Sequence, residues 1–126
     1  MKYTLSYLED DRFIFIGAEG RFDFNEFLQK TKEAVELSVQ YNCNKILVDC
    51  SLITSANTNM AKLYSIPEEY EKHKISRAYK IGLVESSDSA ANKNVLFYET
   101  VCRNRGWLAK VFPDLDSAKN WLKSLS

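Results

Sequence analysis

The sequence predicts one α/β domain over residues 1–126, a β-α superhelix around a five-stranded mixed, mostly parallel sheet. The expected element order is ββαβαβαβα, with the first strand antiparallel. Three observations carry this. Short apolar runs alternate with stretches of helical periodicity, a pattern that calls for parallel strands joined by helical crossovers. The first two runs are separated only by the polar "EDDR", a hairpin turn. No composition break, linker or internal repeat divides the chain.

Tyr3 to Leu8 and Phe13 to Ala18 read as the two hairpin strands. "FIFIGA" is apolar on both faces, as suits a strand inside a sheet covered on both sides. In "GRFDFNEF", Asp23 is an N-cap with Glu26 three residues on, and Phe22 and Phe27 stand at staple spacing. Phe24, Phe27, Leu28, Thr31, Ala34 and Val35 then line one face of a helix that "YNCN" stops near Tyr41.

Lys45 to Cys50 reads as a compact buried strand, and a second helical region begins near Asn57. Pro67 either kinks that helix or opens a separate one, with Glu68 and Glu69 in its first turn. Tyr79 to Val84 is the fourth strand. A helix from about Ala91 places Val95, Tyr98, Val101 and Cys102 inward and ends at Gly106. Leu108 to Phe112 is the fifth strand. Pro113 and Asp114 turn the chain into an amphipathic helix with Leu115, Ala118, Trp121, Leu122 and Leu125 on one stripe. In the fourth and fifth strands one face carries Lys80, Gly82, Leu108, Lys110 and Phe112. That face is only partly apolar, which suits a dimer contact or partial exposure.

Composition bounds the function. With 45% hydrophobic and 13% aromatic residues the chain builds a core without disulfides or metals. Seventeen basic residues balance seventeen acidic ones, so no field favours nucleic acid, and no nucleic-acid partner is expected. Cys43, Cys50 and Cys102 have no metal or redox spacing and read as free thiols, so a cytoplasmic location is expected. "MKYTLSYLEDD" alternates polar and apolar residues, unlike a signal peptide. No apolar run reaches the ~18 residues of an integral membrane segment.

The segments "RNRGWLAKVFPDLDSAKNWLKS" and "YKIGLVESSDS" resemble the SpoIIAA-like family, relatives of STAS domains. "IGAEGRFD" is similar to the STAS segment in which a strand ends at Gly and an Asp starts the first helix. "KILVDCS" is similar to the strand leading to the functional loop. The resemblance covers nearly the whole chain and implies a β-α superhelix with a regulatory or binding role. Some relatives also resemble the lipid-binding lobe of CRAL-TRIO proteins, which implies an apolar ligand as the alternative.

Phosphorylatable STAS domains carry a Ser at the start of the helix after this strand, where free N–H groups and the helix dipole favour a phosphate. Here Thr54, Ser55 and Thr58 are the candidates for a phosphorylation or partner loop, although the Asp-Ser pair and the Gly of that pattern are missing. Capping of the second helix by Ser55 or Asn57 is the simpler reading. Asp49 and Glu85, near the ends of two adjacent strands, form a candidate acidic ligand site for a metal-dependent hydrolase. Met60, Tyr64 and Tyr70 form a candidate apolar pocket beneath the second helix. His73 lies in the charged run "EEYEKHK", which reads as a solvated face, and Arg103 and Arg105 suit a helix C-terminus. The expectation is a non-enzymatic STAS-like module, with no cofactor, that binds a protein partner or a second copy. The alternative is a carrier or sensor of an apolar small molecule.

Overall fold

The computed structural model describes residues 1–54 and 60–125, with Met60 described in its backbone alone. Ten elements follow in order: β1 (Lys2–Leu8), β2 (Phe13–Arg21), α1 (Phe24–Gln40), β3 (Lys45–Thr54), α2 (Met60–Tyr64), α3 (Ile66–Lys72), β4 (Lys80–Val84), α4 (Ser89–Asn104), β5 (Leu108–Phe112) and α5 (Leu115–Ser124). The architecture is the expected five-stranded mixed sheet, in the strand order β1-β2-β3-β4-β5. β1 is antiparallel to β2, and every later pairing is parallel.

The register explains the apolar pattern. Tyr7, Ile14, Ile46, Ile81 and Ala109 form one row across the sheet, and Leu5, Ile16, Val48, Leu83 and Val111 the next. These rows face the main core, which also holds Ala34, Leu63, Ile66, Tyr70, Val95 and Tyr98 of α1 to α4. Phe13, Leu47 and Val84 point the other way and pack with Ala118 and Leu122 of α5. The partly apolar face is therefore covered in part by the chain's own last helix. Partial exposure is one of the two expectations for this face, and Lys110 on it is exposed. Where α5 covers it, Leu122 fills the shallow place that Gly82 leaves, and an added Cβ would stand 3.3 Å from Leu122 Cδ1.

Local chemistry sets the helix boundaries. Asp23 accepts from the Glu26 N–H at 2.8 Å, and the Phe22 and Phe27 rings lie 5.8 Å apart as the staple. Asp88 and Asp114 cap α4 and α5 in the same way. At the end of α4, Gly106 takes φ +94°, a left-handed conformation that costs glycine little. Its N–H then reaches the Arg103 carbonyl, and the Trp107 N–H reaches that of Cys102, which is a Schellman ending. Arg105 and Arg77 both pair with Glu71, at 2.8 and 2.9 Å, and Arg77 Nε also bonds the Arg105 carbonyl. Arg105 of "CRNRG" thus ties the end of α4 to α3, whereas Arg103 reaches the Ala109 carbonyl of β5 instead.

Several boundaries differ from the sequence reading. β2 continues to Arg21 and β3 to Thr54, because a bulge in β3 lets the ladder resume beyond Asp49. Of the two expectations for Pro67, the separate helix is the one found: α2 and α3 are broken at Ser65, with Pro67 in the first turn of α3. α4 starts at Ser89, one residue after its cap.

Candidate functional site

The acidic residues are not both at strand ends. Asp49 lies inside β3, opposite Val84, and its carboxylate accepts from the Ser51 N–H at 3.0 Å. It thereby satisfies a backbone donor that the bulge removes from the ladder. Glu85 is exposed just beyond β4, and its own N–H donates to the Phe112 carbonyl at 2.9 Å. The loop that follows is tied to β3. The buried Ser86 donates from Oγ to the Ile53 carbonyl at 2.7 Å, and Ser87 donates to that of Ser51 at 3.1 Å. Among the described residues no group of three or more His, Cys, Asp or Glu is placed to hold a metal ion.

Thr54 is the exposed last residue of β3, where its carbonyl accepts from the Phe22 N–H at 2.8 Å. Ser55 and Thr58 lie outside the described residues. So does the side chain of Met60. Of the proposed apolar pocket, Tyr70 is buried, but Tyr64 is 66% exposed and faces solvent. On either side of the break at Ser65 one tyrosine is exposed and the other buried, so the two do not share a face. His73 is also exposed and sits 3.7 Å from Glu69.

The apolar space lies beneath α1, α2 and α4 and runs on under α3, so the second helical region does cover it: Leu63 of α2 lines one cavity and Tyr70 of α3 the next, while Tyr64 lines neither. A cavity of about 60 Å³ is lined chiefly by Tyr3, Ile16, Phe27, Leu63, Val95 and Tyr98. The elements deliver these residues for plain reasons. The Asp23 cap and its staple fix Phe27, and the Asp88 cap sets α4 so that Ala91, Val95 and Tyr98 recur at helical spacing. Lys30, with a third of its side chain exposed, is the charged residue in the lining. A second cavity of about 30 Å³ continues toward α3 and shares Ile16, Phe27, Thr31, Val48 and Tyr98 with the first. Phe27 and Tyr98 meet edge to face at 5.6 Å between the two spaces, and the Tyr98 hydroxyl is 2.9 Å from that of Tyr70.

Helical periodicity in the sequence already turned Phe27, Val95 and Tyr98 inward. The void between them carries no sequence signal, because it depends on how three helices and four strands fill space together.

Burial keeps the phenols and thiols around this space in their neutral forms. Burial raises the Tyr70 and Tyr98 phenols, and it pushes the Cys50 and Cys102 thiols up to about 12. The thiolate is the reactive form, so Cys50 in the cavity wall and Cys102 behind it are chemically silent in the folded protein. A thiol reagent at neutral pH is expected to label Cys43, which is partly exposed, and to reach the other two only in denaturant. Rapid labelling of all three in the native state would contradict this burial.

No protein-family model matches the chain, and no curated protein matches it either. Among the described residues no helix is long and apolar enough to cross a membrane.

Proposed function

We propose that the chain is a non-enzymatic, SpoIIAA-like binding module that takes a small apolar group into the cavity between α1, α4 and the sheet. The supporting observation is that cavity and its lining. Apolar cavities of this kind stay dry and accept apolar guests. Ligand sites more generally combine apolar walls with a few polar groups. At about 60 Å³ the space suits a few carbon atoms, such as the end of an acyl chain or a single apolar side chain, and not a whole lipid. Leu63 closes one side from α2, a helix of five residues that relies on packing for its stability. Its displacement would enlarge the space, and movement of Phe27 against Tyr98 would join the second cavity.

The test is methyl NMR under xenon pressure and, separately, with added hexanoate. The expected result is guest-dependent shifts confined to Ile16, Leu63, Leu83 and Val95. Val95→Phe, which fills the cavity, is expected to abolish them while the protein stays folded at a cost of about 1–3 kcal/mol. Unchanged wild-type spectra, or a Val95→Phe variant that still responds, would defeat the reading.

A protein partner is the second reading, and a different observation favours it: among the described residues no strand pairs with the outer edge of β1.

A further inference from the structure

The two edges of the sheet are treated differently. On β5, side chains of α4 occupy the outward backbone groups. Glu99 Oε2 accepts from the Val111 N–H at 2.6 Å, and Arg103 Nη1 donates to the Ala109 carbonyl at 3.3 Å. Glu99 and Arg103 are one helical turn apart, so a single face of α4 seals that edge. β1 carries no comparable seal among the described residues. It is a seven-residue strand with an unbroken register against β2, and inside it there is no proline, glycine or bulge. Natural proteins usually blunt a free edge with such devices. The only charge is Lys2, at its start.

We infer that β1 pairs antiparallel with β1 of a second copy of this chain, about a two-fold axis at Leu5, to make a continuous ten-stranded sheet. The sequence of the strand is what selects a second copy as the occupant. A two-fold interface must be complementary to itself. With Leu5 opposite Leu5, Tyr3 stands opposite the other copy's Tyr7, and Thr4 opposite its Ser6. Aromatic pairs and Thr–Ser pairs are among the stabilising cross-strand combinations in antiparallel sheets.

The α1 flank beside this edge fits the same symmetry. Lys30 Nζ lies 5.8 Å from the centre of the Tyr3 ring and 3.2 Å from Glu33, and Tyr41 stacks on Tyr7 at 4.1 Å. Each copy thus brings one positive and one negative group to its own side of the axis. Tyr3 also lines the apolar cavity, so the pairing would set a cavity wall. The inference stands on the edge alone and is independent of any guest.

The test is sedimentation velocity of the full chain over a concentration series, with circular-dichroism melts as a fold control. The wild type is expected to dimerise reversibly. Thr4→Lys with Ser6→Lys places like charges opposite one another twice and is expected to raise the dimer Kd by more than about tenfold, with a native melt. Thr4→Lys with Ser6→Glu makes the same positions complementary and is expected to keep the dimer. A strictly monomeric wild type would overturn the inference. So would a double-lysine variant that dimerises like the wild type, or a lysine–glutamate variant that stays monomeric while folded. Hydrogen exchange of the wild type, which needs no variant, is expected to show β1 amide protection that falls on dilution. Protection independent of concentration would also overturn it.

Discussion

Trp107→Ala is expected to destabilise the protein by about 4 kcal/mol and to lower Tm by about 15 °C. Trp107 is 1% exposed and joins three parts of the fold. Its ring meets Tyr70 edge to face at 5.7 Å, so α3 rests on it. The Arg77 guanidinium lies 4.0 Å from the ring centre on the solvent side. The indole N–H donates to the Ser76 carbonyl at 3.2 Å, holding the loop before β4. Truncation therefore removes a large buried surface, leaves the Ser76 carbonyl with only the longer 3.4 Å bond from the Tyr79 N–H and deprives Arg77 of its platform. Trp107→Phe keeps most of the ring and loses the N–H, for which about 1 kcal/mol is expected. Urea unfolding measures both. A loss below 1 kcal/mol for the alanine variant would mean that the surroundings close over the gap.

Leu122→Ala is expected to cost about 3 kcal/mol. Leu122 is fully buried between α5 and the second sheet face, against Gly82 and in one cluster with Phe13, Leu47 and Val84. Because a methyl at position 82 would press on Leu122, Gly82→Ala is expected to cost less in the Leu122→Ala background than in the wild type. That double-mutant cycle isolates the contact. α5 is also tied to the β1–β2 turn by Asp11, which lies 3.4 Å from Lys119 and 3.1 Å from Lys123. The Lys123 hydrogen bond, with the charges of both lysines, holds the Asp11 carboxyl below its ordinary value. The contribution is therefore complete above the unfolded carboxylate pKa and is lost as pH falls through the lower folded value. Acid should loosen α5 further in the Leu122→Ala variant.

Much of the fold was legible because local chemistry and global pattern agree. Asp23, Asp114 and Gly106 announce helix ends by what their side chains or backbone can do, and β5 is bounded by a glycine turn and a proline. The length of β3 was not legible. "DCSLIT" breaks strict alternation, and only the paired strand shows that a bulge absorbs the extra residue and returns Ile53 to the core. The candidate residues fared unevenly for the same reason. Asp49 reads as a ligand at a strand end and is a backbone partner within a strand. Tyr64 and Tyr70 read as neighbours on a bent helix, but a break between them leaves the first in solvent and buries the second. The stripe of α5 was plain in the sequence, whereas the face of the sheet it covers depends on Gly82 and Leu47 in other elements.

The strictly sequential strand order has a kinetic consequence. Every strand docks beside the one made just before it, so no early segment must wait for a distant partner, and the loops closed in assembly stay comparatively short. The span from Thr54 to Lys80 is the widest gap between paired neighbours, which makes the docking of β4 on β3 the expected slow step. α5 is the last element and bridges three strands already laid down, so its arrival locks a sheet that can grow outward from the first hairpin.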